Sequence, residues 1–293
     1  MPRWPNAYLD EACEMPVRLR VACLTLGLAL LAAAGASGSR SKLSEPSSQT
    51  AYRARLVAGQ PARVGAPAST GAQSATRCTA GPRRLGSLRI AYVAFLKRGV
   101  DVQAAPRAAS GTITNLGRRN VNGFREVLGV LGVHRDARCQ ADWYHVLLPV
   151  LPNGTTGWVP SGAVQTYRVR SRIVVDVSQR QLRLYRSGRL TIATSVAVGA
   201  PSTPTPLGRY FVNERYVLPD SSGPFGPNAL GISAHSTVLQ QVWVQDGPIG
   251  IHGTDEPWSL GRAASHGCIR VANSVMRRLF ALAPAGTPVI VKS

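Results

Sequence analysis

From residue 89 onward, short apolar runs alternate with turn-forming residues, and this pattern constrains the fold more than any other feature of the sequence. The first series reads RIAYVAFL, GFREVLGVLGV, DWYHVLLPV and GWVP, with Pro-Asn-Gly at 152–154 before the last run. A second series follows residue 171, with IVVDV and QLRLYRSGRLTIATSVAVG, where Ser-Gly at 187–188 indicates a hairpin turn. Short runs with alternating apolar residues are typical of β-strands. We therefore predict an all-β chain in two parts.

Two segments of the second part depart from the strand pattern. Residues 200–208 (APSTPTPLG) contain three prolines, so we expect a loop rather than a central strand. Near the end, Asn273 is a candidate helix cap, and Pro284 and Gly286 would end the helix before the strand TPVIVK. The apolar residues that share one face of this short helix are Val275, Met276, Leu279, Phe280 and Ala283.

The N-terminal third has the composition of a targeting segment followed by a spacer. Residues 21–36 (VACLTLGLALLAAAGA) are apolar, follow two arginines and end in small residues, which is typical of an export signal. A membrane span needs about 20 apolar residues, so an uncleaved anchor is the alternative. The acidic residues within 1–14 fit a signal poorly, and Met15 is a better start. Residues 37–88, rich in Ser, Ala, Gly, Pro and Arg, are predicted to be a disordered linker.

The charge balance favours polyanionic surroundings without selecting one. Lys and Arg number 34 against 14 Asp and Glu, a net charge of +20, and a field of this size attracts anionic polymers. The arginines are scattered in pairs and aromatic residues make up only 6%, so we predict no nucleic-acid partner. Anionic cell-wall polymers remain candidates, beside the alternative of a solvated basic surface.

The five cysteines stand at 13, 23, 78, 139 and 268, and none forms a C-x-x-C pair. This spacing gives no zinc ribbon or redox motif, and we predict no metal or cofactor. Cys78 and Cys139 flank and interrupt the first β-rich part and could form a disulfide in an oxidising compartment.

The densest concentration of reactive residues is IGIHGTDEPWSLGRAASHGCIR, which brings His252, His266 and Cys268 within 16 positions. A thiol attacks an amide usefully only when an imidazole or backbone dipoles stabilise its thiolate. The absence of a side chain at Gly267 would let a substrate carbonyl approach backbone amides that stabilise an oxyanion. The alternative is a buried structural thiol with histidines in loops.

Residues 265–270 (SHGCIR), preceded by IHGT at 251–254, resemble the signature of the YkuD-type L,D-transpeptidase family, as do VDVSQRQLRLY and VGAPSTPTPLGRY. The resemblance implies that residues 171–293 form a β-sandwich catalytic domain with one short C-terminal helix. It implies Cys268 as nucleophile, His252 as general base, and the Gly253 carbonyl as the group that orients the imidazole. The substrate-binding residues that it implies are Ser265, His266, Gly267 and Arg270, with the backbone amides of Gly267 and Cys268 facing an oxyanion.

The same resemblance implies a reaction on peptidoglycan stem peptides. Cysteine attacks the amide after the diaminopimelate-type residue of a tetrapeptide, D-alanine leaves, and an acceptor amine takes the acyl group to form a 3-3 cross-link. Alternatives are an L,D-carboxypeptidase or hydrolase on the same fold, and a non-catalytic wall-binding protein. For Arg270, contact with a substrate carboxylate and an internal salt bridge are both open. Asp246, Asp255 and Glu256 are expected in solvent.

The first β-rich part, residues 89–170, resembles a bacterial SH3-like module, a small β-barrel, through WYHVLLPVLPNGTTGWVPSGAV. Such modules usually bind cell-wall material. We expect Trp143, Tyr144 and Trp158 in the barrel core rather than on a ligand-binding surface. Together these features predict an exported protein, periplasmic or wall-associated, with membrane contact only through its N-terminal segment.

Overall fold

The computed structural model describes residues 79–239 and 247–293, all of which belong to one compact unit, Gly59–Ser293. The predicted signal segment, most of the predicted linker and Cys78 lie outside the described residues. The linker prediction is wrong at its end, because Gly81–Arg84 form strand β1, which pairs with Val127–Arg135. Cys139 is disulfide-bonded. Within the described ranges, no helix has the length and apolar character that a membrane crossing requires.

The first sheet has eight strands and contains the apolar runs of residues 89–170. Its order is β4-β3-β7-β6-β5-β2-β8, with β1 paired to β5. The remaining strands are β2 (Ala91–Leu96), β3 (Val100–Gln103), β4 (Thr112–Leu116), β5 (Val127–Arg135), β6 (Ala141–Leu147), β7 (Thr156–Pro160) and β8 (Val164–Val169). Its core consists of alternate apolar residues such as Leu96, Val102 and Leu128. The assignment to an SH3-like barrel and the boundaries of a separate domain stay predictions.

The three aromatic residues expected in the first core are only half-buried. Tyr144 packs against the apolar core, as expected. Trp158 instead stacks on His145, with ring centroids 4.8 Å apart, and Trp143 lines a surface cleft. The prediction of a core position is therefore wrong for Trp143 and Trp158, because alternation along a strand indicates a face of the sheet and not the depth of burial.

The second sheet has eight strands in the order β11-β10-β9-β18-β13-β14-β15-β17. The strands are β9 (Ser171–Asp176), β10 (Gln181–Arg186), β11 (Arg189–Ser195), β13 (Gly208–Val217), β14 (Asn228–His235), β15 (Pro248–His252), β17 (Ile269–Arg270) and β18 (Pro288–Lys292). Two short strands, β12 (Val198–Gly199) and β16 (Ala263–Ser265), pair with each other in parallel. Leu182, Leu184 and Ile192 are buried on one face, as their alternation predicted.

The short C-terminal helix is confirmed, but its predicted cap is wrong. Helix α1 spans Asn273–Leu282, and Ala272 occupies the cap position without a side-chain hydrogen bond. The Asn273 side chain instead accepts a hydrogen bond from the Thr254 N–H at 2.8 Å. Met276 and Leu279 are fully buried, and β18 follows after Pro284 and Gly286. The described residues are thus mostly β-sheet with one short helix.

Several contacts join the first sheet to the second, and two of them involve the strands that lead to β15. Phe211 of β13 is buried among apolar residues of the first sheet, Val93, Val127, Leu147 and Val169. The Asn153 side chain forms two hydrogen bonds with the His235 backbone at the end of β14, donating to the carbonyl at 2.7 Å and accepting from the N–H at 2.9 Å. The first sheet therefore contacts both strands that lead to β15.

Candidate active site

Two adjacent parallel strands bring the predicted histidine and cysteine into one region. Strand β17 pairs with β15, with Ile269 opposite Ile251 and Arg270 opposite His252. Cys268 directly precedes β17, is half-buried and carries no disulfide. Cys268 lies on the neighbouring strand position, two residues before the partner of His252. This offset corresponds to roughly 8 Å between the Cα atoms of the two residues.

His252 is enclosed and held by its own neighbour in the chain. The side chain is only 3% exposed, and Nδ1 lies 2.6 Å from the Gly253 carbonyl oxygen. Because a carbonyl can only accept, Nδ1 carries the hydrogen and Nε2 of the neutral ring keeps its lone pair. The Phe225 ring packs edge-on against the imidazole, with centroids 4.9 Å apart. The predicted role of Gly253 in orienting His252 has this contact as its geometric basis.

Burial lowers the pKa of His252 from 6.5 to about 4. Loss of hydration is the main cause, since an apolar setting disfavours the charged imidazolium. The positive charge of Arg270 lowers the pKa further, while the hydrogen bond to Gly253 raises it. The imidazole is therefore neutral near pH 7 and can act as a proton acceptor.

Glycine at 253 is required by close packing behind the histidine. A Cβ at this position would lie 2.2 Å from Asn273 Oδ1 and 2.9 Å from the Gly226 Cα. The same Asn273 oxygen accepts the Thr254 N–H. The start of helix α1 therefore holds the backbone that presents its carbonyl to His252.

The turn that carries Cys268 is closed by a serine. Ser265, 2% exposed, donates its hydroxyl to the Cys268 carbonyl at 2.6 Å and accepts the Gly267 N–H at 3.2 Å. Gly267 has a φ of +117°, and a Cβ there would lie 2.9 Å from Ile249 Cδ1. Of the two amides expected to face an oxyanion, that of Gly267 is already engaged inside the turn. His266 is half-buried at its apex.

The proline-rich loop after β12 also packs on the turn that carries Cys268. Residues 200–207 lack strand structure, as predicted, whereas Gly208, which the prediction included in the loop, begins β13. Thr205 donates to the Gly267 carbonyl at 2.9 Å and accepts the Gly199 N–H at 2.8 Å. Thr203 donates to the Ser265 carbonyl at 3.2 Å, and the Ala200 N–H donates to the same oxygen at 2.8 Å. Residues 199–205 thus support the backbone of the turn that carries Cys268.

Arg270 is buried, 8% exposed, and forms a short ion pair with Glu256. The expectation that Glu256 lies in solvent is therefore wrong, because a buried guanidinium requires a counter-charge. Asp255 is exposed, as expected, and Asp246 lies outside the described residues. Arg270 Nε is buried without a hydrogen-bond partner among the described residues.

All seven predicted site residues lie in or beside this region, on β15, the turn 265–268 and β17. Sequence reasoning missed four further contributors: Thr205, Glu256, Asn273 and Phe225. The only signals for them were indirect. Thr205 stands in a quoted motif, and Glu256 was noted for its proximity to the cysteine, but no local pattern indicates a partner 62 residues away, as for Thr205 and Gly267.

Comparison with known proteins matches this part of the chain to one family. The family profile YkuD, described as an L,D-transpeptidase catalytic domain, matches residues 170–291. A putative L,D-transpeptidase YkuD of Bacillus subtilis is 32% identical over 130 residues, covering 44% of this chain and 71% of the relative. The putative L,D-transpeptidase YkuD of Bacillus licheniformis is 38% identical over 118 residues, covering 40% and 63%. The chain belongs to the YkuD L,D-transpeptidase family.

Among solved structures, an L,D-transpeptidase from Mycobacterium smegmatis is 18% identical and covers 47% of this chain and 66% of its own, with a TM-score of 0.36. The catalytic domain of the Enterococcus faecium L,D-transpeptidase is 28% identical and covers 41% and 95%, with a TM-score of 0.31. The chain spans less than two thirds of the Bacillus licheniformis relative, and each of these four matches covers less than half of this chain.

Proposed function

We propose that this protein is a cysteine-dependent peptidoglycan L,D-transpeptidase that forms 3-3 cross-links. One observation carries the proposal: a buried, neutral His252, fixed through Nδ1 to the Gly253 carbonyl, stands on the strand beside the turn that carries Cys268. An imidazole whose Nδ1 is occupied presents Nε2 as a base, the arrangement that activates nucleophiles in triads. A backbone carbonyl here takes the place of the carboxylate.

In the acylation step, Cys268 Sγ attacks the carbonyl carbon of the diaminopimelate-type residue of a tetrapeptide stem, in the amide that links this residue to D-alanine. His252 Nε2 takes the thiol proton as the C–S bond forms. The same proton then passes to the nitrogen of D-alanine as the C–N bond breaks. The products are a thioester on Cys268, free D-alanine and a neutral imidazole.

In the transfer step, the side-chain amine of a second stem attacks the thioester carbon. His252 accepts a proton from this amine, and the sulfur leaves with its electron pair and is reprotonated. Formation of the amide completes the 3-3 cross-link and restores the enzyme. Attack by water instead would give a tripeptide, the product of the alternative L,D-carboxypeptidase.

The remaining predicted residues are assigned by their contacts. Ser265 and Gly267 shape the turn from within, and His266 at its apex is placed to contact the stem peptide. For Arg270, burial and the ion pair with Glu256 favour the internal salt bridge over contact with a substrate carboxylate. Arg270 would then act on the reaction through the charge that it places near His252.

Export, wall association and the role of the first sheet also belong to the proposal. The disulfide at Cys139 favours an oxidising compartment, in agreement with the predicted signal segment. The first sheet would serve as an SH3-like module that holds the enzyme on peptidoglycan. Its contacts with β13 and β14 would keep it beside the catalytic part of the chain.

The test is to incubate the full chain with a disaccharide-tetrapeptide and to identify products by mass. We expect free D-alanine and a dimer shorter by one D-alanine. Cys268→Ala should reduce D-alanine release by more than about 1,000-fold, while Asp255→Asn, a change at an exposed neighbouring acid, should leave the rate unchanged. Tripeptide without dimer would favour the hydrolase, and release of D-alanine by Cys268→Ala at the normal rate would contradict the proposal.

A further inference from the structure

Thr205 occupies a buried position directly behind the turn of the nucleophile. The residue is 3% exposed, and its hydroxyl bridges two backbone groups. It accepts the Gly199 N–H at 2.8 Å and donates to the Gly267 carbonyl at 2.9 Å. The hydroxyl thus uses both of its hydrogen-bonding functions on the backbone, and one of the two bonds ends on the peptide group that joins Gly267 to Cys268.

The Gly267–Cys268 peptide needs such a restraint because a glycine backbone is conformationally permissive. Gly267 has a φ of +117° and no Cβ, so its backbone can adopt many orientations at little cost. A trans peptide is planar, with its C=O and N–H pointing in opposite directions. Whatever fixes the Gly267 carbonyl therefore also fixes the direction of the Cys268 N–H, away from Thr205.

Ser265 restrains two other polar groups of the turn. Its hydroxyl accepts the Gly267 N–H and donates to the Cys268 carbonyl. The Gly267 amide therefore points into the turn, and the amide whose direction Thr205 sets is that of the nucleophile itself. In acyl transfer, the amide of a nucleophilic residue is well placed to stabilise the oxyanion that forms on the attacked carbonyl.

We propose that Thr205 is a positioning residue for acyl transfer: its hydrogen bond to the Gly267 carbonyl aims the Cys268 N–H at the developing oxyanion. This proposal rests on the proposed function. In this role Thr205 acts through the peptide that its hydroxyl holds. A hydroxyl is required, because one group must accept from Gly199 and donate to Gly267.

The local packing supports a fixed rather than an adaptable position for this hydroxyl. A Cβ at Gly199 would lie 2.5 Å from the Thr205 nitrogen and 2.3 Å from the Thr203 carbonyl oxygen. The backbone of the loop therefore lies directly against Gly199. This close approach restrains the Thr205 backbone, and with it the hydroxyl, relative to Gly199.

The experiment compares two reactions of the same sulfur in the full chain. Acylation by a carbapenem passes through an oxyanion, whereas alkylation by iodoacetamide displaces iodide and forms none. For Thr205→Val, we expect acylation to slow by about 10- to 100-fold. This effect should not exceed the rate loss caused by removing an oxyanion donor outright, because the Cys268 N–H is still present. Alkylation should change by less than about twofold, since thiolate formation is not affected. Intact-protein mass follows both rates.

Two further variants separate positioning from folding. Thr205→Ser keeps the hydroxyl and should acylate within about threefold of the unaltered protein, on the same reasoning. Thr287→Val removes another fully buried hydroxyl, one that donates to the Pro284 carbonyl at 2.6 Å, and should change neither rate.

An equal loss of both rates in Thr205→Val would show a merely structural role, and unchanged acylation would overturn the proposal directly. If the unaltered protein is acylated normally in either case, the proposed function stands while the role of Thr205 is lost. If the unaltered protein neither reacts with the carbapenem nor releases D-alanine, both fail together.

Discussion

At the scale of single residues, the central feature is a histidine kept neutral by its surroundings. Burial against Phe225, with the charge of Arg270 nearby, lowers the pKa of His252 to about 4. The Gly253 carbonyl fixes the tautomer without adding a negative charge. The ring is thus a weaker base than a histidine beside a carboxylate, but it remains unprotonated over a wider range of pH.

This environment predicts the acid side of the pH–rate profile. The value of kcat/KM for D-alanine release should fall with a midpoint near pH 4, because only below this pH does the free enzyme lose its unprotonated base. His266→Gln should leave this midpoint in place even where it changes the rate. A midpoint at or above the ordinary histidine value of about 6.5 would contradict the assignment of His252 as the base.

At the scale of elements, the sequence predicts what depends on local pattern. The alternating runs of β9 and β10, the proline-rich loop 200–207 and the face of α1 all follow from period and turn chemistry. Strand β1 was missed because GPRR has no apolar alternation and forms only by pairing with β5. The Asn273 cap was wrong because the side chain bonds to Thr254, a partner 19 residues away.

The residues of the candidate site fall into the same two groups, those that a local sequence pattern predicts and those whose partners are distant in sequence. Cys268 and a nearby histidine were singled out because the motif is compact in sequence and each residue type has a chemical reason, whereas the roles of His252 and Gly253 came from the family resemblance. The roles of Thr205 and Glu256 were not predicted, because they depend on contacts that form only in the folded chain. Thr205 contacts Gly267, and Glu256 contacts Arg270. The Gly267 amide was assigned to an oxyanion because the sequence does not show that Ser265 engages it.

At the scale of the whole molecule, a pair of carboxyl groups lies where the two sheets meet. Glu126 precedes β5 of the first sheet and is 5% exposed, and Glu214 belongs to β13 of the second. Asn120 and Asn122 donate to Glu214 Oε1 at 2.5 and 3.0 Å. Burial, with a smaller contribution from the Glu214 charge, raises the pKa of Glu126 from 4.5 to about 7.

This raised pKa predicts that the contribution of Glu126 to stability falls as the pH rises from 4.5 to 7. In that window the folded state holds a proton that the unfolded state has lost, so deprotonation favours unfolding. At pH 8 the cost is up to about 3 kcal/mol. Glu126→Gln, which stays neutral, should therefore raise the free energy of unfolding at pH 8 by about 1–3 kcal/mol more than at pH 4.5. Urea unfolding at both pH values measures this, and an equal effect at both would contradict it.

The central claim is that Cys268 becomes acylated by a wall peptide, and the mass of the enzyme itself tests it most directly. The full chain is mixed with a disaccharide-tetrapeptide, quenched in acid within the first turnovers, and analysed intact and after proteolysis. The account predicts a mass gain equal to the donor minus D-alanine, located on the peptide that contains Cys268 and removed by hydroxylamine. A donor adduct on any other residue, or release of D-alanine without dependence on Cys268, would contradict it.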